Sequence, residues 1–120
     1  MFLEEYMPDA NTVILINRNG MGEADPVLQH RLVSTYLKLL DEHDLLPGAI
    51  CFYAEGVHLT VEGSPVLELL QSLERKGVHL ILCSTCLNYY QLLDKVKVGI
   101  VGGMGDILET QQKAAKVVTL

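Results

Sequence analysis

Val78-His79-Leu80-Ile81-Leu82-Cys83-Ser84-Thr85-Cys86-Leu87-Asn88-Tyr89-Tyr90 is the stretch from which the fold is read. Val78 to Cys83 is a short, nearly continuous apolar run. It is too short for an ordinary globular helix, and apolar side chains on both faces mark a strand covered on both sides. The pattern changes after Cys83. Thr85 is a fitting cap for a short helix that carries Leu87, Tyr90 and Leu93 at spacings of three. A covered strand that runs straight into a helix is half of a strand–helix–strand unit, whose strands lie parallel.

The alternation extends both ways. Towards the amino terminus, Ser64-Pro65 is read as the opening of a helix with Val66, Leu69, Leu70 and Leu73 inward, ending at Gly77. Ala49 to Ala54 reads as a strand, followed by a weaker extended piece, Val57 to Thr60. Before it, Asp25 caps a helix with Pro26 at its first position and Leu28, Leu32, Tyr36, Leu39 and Leu40 on one face. Val13 to Asn17, closed by Arg18-Asn19-Gly20, is the first strand. Towards the carboxyl terminus, Val98 to Val101 is a strand, residues 104–115 a helix, and Val117 to Thr119 a last strand. The class is therefore α/β, with a mostly parallel sheet, right-handed crossovers and helices on both faces. Function in such sheets gathers beyond the carboxyl ends of the strands. Here that means residues 17–25, 54–64, 83–88 and 102–105.

Composition narrows the function classes. The chain has 120 residues, 49% apolar and 20% charged, which suits one folded domain. No apolar run approaches the ~18 residues needed to cross a membrane. The start, MFLEEYMPDA, is acidic and unlike a secretory signal. The formal net charge is −6 and there is no basic cluster, which argues against direct binding of nucleic acid or an anionic membrane. Three cysteines, Cys51, Cys83 and Cys86, are an odd number and no disulfide framework. Reduced thiols in a cytoplasmic protein are expected.

Cys83-Ser84-Thr85-Cys86 carries the chemistry. A cysteine at a helix start faces unpaired N–H groups and the positive end of the helix dipole, and both favour the nucleophilic thiolate. Zinc needs two more ligands, and His79, on the same strand face, would lie ~13 Å from Cys83, so no metal is expected. A thiol–disulfide switch and a thiol that carries sulfur as a persulfide remain, beside the plain alternative of two small residues at a strand end.

The segment Cys83 to Tyr90, with Leu92, resembles the CGTCLDYYGL-type segment of the DsrE/DsrF-like sulfurtransferase superfamily, and within it the carboxy-terminal domain of YedF-type selenium-metabolism proteins. Gly22 to Asp25, Leu59-Thr60-Val61-Glu62-Gly63-Ser64 and Leu73 to Val78 resemble other stretches of that family. The resemblance spans residues 12–120 and leaves residues 1–11 as an amino-terminal extension. It implies a three-layer α/β/α domain with a five-stranded, mainly parallel sheet. It also implies a homo-oligomer and sulfur carried on the cysteine matching Cys83. Ser84 and Asn88 depart from the glycine and aspartate common in the family. The TusA-like domain of YedF-type proteins has no counterpart in these residues, so a protein donor and acceptor, one of them TusA-like, are implied as separate partners, with no cofactor.

The expected function is thus a persulfide carrier in sulfur or selenium metabolism. Cys83 would attack the donor, Cys86 would resolve or tune it, and Ser84, Thr85, Asn88, Gly22 and His58 would line the site. The alternatives are a thiol–disulfide redox protein and a non-catalytic oligomeric binding module. The other candidates have plain readings. Asn19 to Asp25 suits a flexible turn closing over the cysteines better than a dinucleotide loop, because Glu23 and Asp25 would repel a pyrophosphate. Gly102 to Asp106 suits a tight turn into the last helix, and Cys51 a core position. Glu62 and Ser64 suit a helix lead-in, and Tyr89 and Tyr90 are expected to split between core and site mouth. A mean hydropathy of +0.26 is high for one small core, and Leu3, Tyr6 and Met7, with one of Tyr89 or Tyr90, are expected to contribute to a subunit contact.

Overall fold

The computed structural model describes residues 10–120. Five strands form one sheet: β1 (Thr12–Ile16), β2 (Ala49–Phe52), β3 (His79–Cys83), β4 (Ile100–Gly102) and β5 (Lys116–Thr119). Their order is β4-β3-β2-β1-β5, and every pairing is parallel. Four helices connect them: α1 (Pro26–Glu42), α2 (Leu67–Arg75), α3 (Ser84–Tyr89) and α4 (Met104–Lys113). Leu3, Tyr6 and Met7 lie outside the described residues. Asn11, at the end of the expected extension, accepts backbone hydrogen bonds from Ala115 and Lys116 and so is tied to β5.

The order of the strands dictates the layers. From β1 to β4 the chain steps one way across the sheet, so right-handed crossovers put α1 and α2 on one face. From β4 to β5 it returns past β1, and the same handedness puts α4 on the other. The packing agrees. Ile14, Ile16, Ile50, Phe52, Leu80 and Leu82 pack with Val33 and Leu37 of α1 and Leu70 and Leu73 of α2. The alternate strand residues Val13, Leu15, Ala49, Cys51 and Cys83 pack with Ile107 of α4. The sheet is thus five-stranded and wholly parallel, with helices on both faces, as expected.

Local chemistry explains most boundaries. Asp25 accepts from the N–H groups of Val27 and Leu28 at 3.1 and 3.2 Å, and Pro26 occupies the first position of α1. Three readings need correction. Val57 to Thr60 is not extended; it belongs to a 3₁₀ segment, Ala54–Thr60, in which Thr60 bonds its hydroxyl to the Val57 carbonyl. Ser64-Pro65 precedes a turn, with Ser64 Oγ accepting from the Val66 N–H at 3.2 Å, and α2 begins only at Leu67. Thr85 is inside α3, whose cap residue is Cys83.

Candidate functional site

Parallel strands end at one rim, and the crevice of interest lies where successive connections leave for opposite faces. Here that point is between β3 and β4. The chain after β3 packs Leu87 and Val98 into the α1–α2 side, whereas the chain after β4 enters α4 on the other. Cys83 ends β3 and stands opposite Gly102 at the end of β4. The cysteine pair therefore sits at the switch point of the sheet.

Cys83 is the buried member. Strand alternation puts it on the α4 face with Ile81, and it has 0% exposure in the cluster with Cys51 and Ile107. The rim-exposed thiol expected at this position is not there. Cys83 makes no side-chain capping bond, and α3 is six residues long, so few aligned peptide dipoles act at its start.

Cys86 is one helical turn on and half-buried, at the seam where both hydrophobic clusters meet. Its Sγ accepts a hydrogen bond from the Ala54 backbone N–H at 3.0 Å. Burial pushes the Cys86 thiol above its usual value, and a hydrogen bond with the Cys83 thiol pushes the same way; the Ala54 N–H opposes them. The two thiols thus act on each other, and Cys86 packs against the cluster that holds Cys83. Cys51 is fully buried in the core, and burial alone pushes its thiol up to about 11.

The Ala54 donor is held by an unusual backbone. Ala54 has φ 48°, in the left-handed region that costs an L-residue about 1–2 kcal/mol. Two residues later Gly56 passes so close to β1 that an added Cβ would lie 2.0 Å from the Ile16 carbonyl oxygen. The close pass anchors the 3₁₀ segment to the sheet and fixes the strained residue beside Cys86.

Aromatic groups form the mouth. His58 packs on Tyr90 with ring centroids 4.7 Å apart, and Tyr90 meets Tyr89 edge-on at 5.2 Å. Tyr89 is 81% exposed. Burial first, then Glu55, Tyr89 and Cys86, pushes the Tyr90 phenol up, which places Tyr90 within electrostatic reach of Cys86. The expected division of the two tyrosines is thus present. Tyr53 packs on the α4-side cluster, and its hydroxyl accepts from Asn17 Nδ2 at 3.4 Å. Asn17 Oδ1 is buried without a partner.

The other candidates are placed as follows. Ser84 is half-buried and Thr85 and Asn88 are exposed on α3, beside the cysteines in sequence. Gly22 has φ 79° and gives its carbonyl to Gln29 Nε2 at 2.8 Å, so its loop is held against α1, at the end of a strand two places from β3. Gly103 donates its N–H to Asp106 Oδ2 at 2.8 Å, a tight turn closed by the acidic first turn of α4. Glu62 is exposed, and its backbone N–H donates to the Lys95 carbonyl. Among the described residues no three His, Cys, Asp or Glu side chains come together as metal ligands. Sequence reasoning missed Ala54 and Tyr53, because Phe52-Tyr53-Ala54 reads as continuous strand.

The profile of the DsrE/DsrF-like family matches residues 14–120. Among curated proteins none matches. A protein of unknown function from Methanobacterium thermoautotrophicum has a similar solved structure, with a TM-score of 0.66 at 20% identity over 91% of this chain and 97% of that one. The ychN protein of E. coli is similar with a TM-score of 0.65 at 15% identity over 91% and 98%. A conserved protein of unknown function from Bacteroides thetaiotaomicron gives 0.64 at 11% identity over 92% and 95%. These likenesses show a shared fold.

Proposed function

The chain belongs to the DsrE/DsrF-like family, and from that premise we propose that it is a sulfur carrier acting through Cys83 and Cys86. The observation that carries the reading is the packing of two cysteines in one cluster, one buried and one half-buried, at the switch point of the sheet. A pair so placed can accept a sulfur atom and either pass it on or release it by closing a disulfide.

The donor and acceptor are proposed to be proteins, one of them TusA-like, in sulfur or selenium traffic of the YedF kind. Exposed Tyr89 beside the cysteine turn supports a protein partner, since an amphipathic ring at a site mouth suits docking. No helix among the described residues is long and apolar enough to cross a membrane; a cytoplasmic location is part of the proposal, on the ground that three cysteines, an odd number, make no disulfide framework. Self-association is part of the reading. The α4 face of the sheet is covered by one helix, and Ile100 is 66% and Val117 44% exposed at its two edges.

The test is incubation with glutathione persulfide, followed by intact mass without reductant. The expected result is a gain of one sulfur atom, or a disulfide with released sulfide, on the wild type. The Cys83→Ser/Cys86→Ser double variant should show neither. A wild type that takes up no sulfur removes the reading.

A further inference from the structure

The two thiols differ in three respects that together assign their roles. Cys83 has 0% exposure and lies in the apolar cluster beneath α4; Cys86 is half-buried and reaches the rim. Among the described residues only Cys86 of the two has a backbone donor, the Ala54 N–H at 3.0 Å. The mouth residues are also arranged around Cys86, since Tyr90 stands within its electrostatic reach and carries His58 and Tyr89 on its ring. A bulky protein-borne donor can therefore bring its outer sulfur only to Cys86. Cys83 can be reached only by Cys86 itself.

We propose that Cys86 receives the sulfur and that Cys83 is the resolving thiol, the reverse of the order expected from the sequence; the inference rests on the sulfur-carrier reading. In the first step the Cys86 thiolate attacks the outer sulfur of a donor persulfide. The Cys86 Sγ–S bond forms, the donor's S–S bond breaks, and the donor thiolate leaves and takes up the proton that Cys86 lost. No net oxidation occurs. The Ala54 N–H faces the Sγ that becomes the inner sulfur and steadies negative charge there. The acceptor thiolate then takes the outer sulfur by the same displacement in reverse.

When no acceptor arrives, Cys83 acts. Its thiolate attacks Cys86 Sγ, the Sγ–Sγ bond forms, and the Sγ–S bond breaks. The outer sulfur leaves as sulfide, reduced by the two electrons that the new disulfide supplies, and the protons of the two thiol groups end on it as hydrogen sulfide. A low-molecular-weight dithiol restores both cysteines by ordinary exchange. Cys51, fully buried and with its thiol raised to about 11, takes no part.

The test uses the full chain. In native wild type, limiting iodoacetamide followed by peptide mapping should label Cys86 at least tenfold faster than Cys83, a measurement that needs no variant. With glutathione persulfide, Cys83→Ser and Cys83→Ala should each hold one extra sulfur, mapped to Cys86, for at least tenfold longer than wild type. Cys86→Ser should take up sulfur at least tenfold more slowly. First labelling of Cys83, or undiminished uptake by Cys86→Ser, overturns the assignment while leaving the carrier reading intact. A wild type that takes up no sulfur overturns both. Equal persulfide lifetimes in wild type and both Cys83 variants overturn the resolving role.

Discussion

At the residue scale, burial governs the Cys51 and Cys86 thiols. Cys86, the accessible thiol, is raised by burial and by Cys83. A raised pKa means that the thiolate appears at higher pH, so the native alkylation rate of Cys86 should still be climbing at pH 9. A free thiol with pKa near 8.5 would already be levelling off there. Cys51, at about 11, would be only about one part in a thousand thiolate at pH 8, and is shielded besides. It should react only after denaturant is added. Site-resolved alkylation between pH 6 and 10 gives both profiles, and a Cys86 rate that levels off below pH 8 would contradict the burial argument. The sequence made the location of the pair legible, because Cys83 to Cys86 follows an unmistakable strand. It did not reveal which thiol is accessible. That depends on Ile107 closing over Cys83 from residues far along the chain, and on Ala54 crossing over Cys86.

At the element scale, the 3₁₀ segment Ala54–Thr60 links the sheet to the site. Gly56 lets it lie against the Ile16 carbonyl, and the segment then delivers the Ala54 N–H to Cys86. Gly56→Ala would place a methyl where backbone oxygen already stands, so backbone must move. We expect a loss of about 1–3 kcal/mol, or roughly 4–12 °C in Tm. Labelling of Cys86 should also change as its donor shifts. Gly105→Ala is the matched control. Its Cβ would meet nothing within 4 Å, Gly105 lies in α4, and its φ is not positive, so a gain of up to about 1 kcal/mol is expected. Thermal melts of the two variants that moved together would remove the close-approach account. Elements with their own local signals were legible: Asp25 and Pro26 announced α1, and Gly77 closed α2. The 3₁₀ segment was not, since Val57-His58-Leu59-Thr60 has the composition of a strand. Its turns form because Val57, Leu59 and Thr60 are pulled into the core under α2, a contact that local pattern does not encode.

At the scale of the whole molecule, the topology leaves one face of the sheet thinly covered. Three connections return on or near the α1–α2 side, and one helix must serve the other. Ile107 of α4 is buried, yet Met104 and Leu108 on one flank of the same helix remain exposed, while Asp106, Glu109, Thr110 and Lys113 line the flank beside Ile100 of β4. Register puts Ile100 on the same face as Ile81, and Val117 on the same face as Val13. Exposed apolar side chains on this face therefore form a broken stripe, with Ile100 at one edge of the sheet, Val117 at the other, and Met104 and Leu108 on α4. Such a stripe is expensive in water, and a second copy of the chain, presenting the same stripe about a two-fold or three-fold axis, is the simplest cover. The expected outcome is a light-scattering mass that is a whole multiple of the monomer at micromolar concentration. Ile100→Lys should reduce it to the monomer. Because Ile100 is exposed in the single chain, the change should cost the fold itself no more than about 0.5 kcal/mol. A wild type that stays monomeric on concentration, or an Ile100→Lys variant that associates as wild type does, would show that the stripe is not a contact between subunits. Cys83 lies in the cluster that α4 covers on this face. If association tightens α4 on the sheet, Cys83 should be still better shielded in the assembled protein than in the Ile100→Lys monomer, and comparing its labelling in the two states reads that coupling directly.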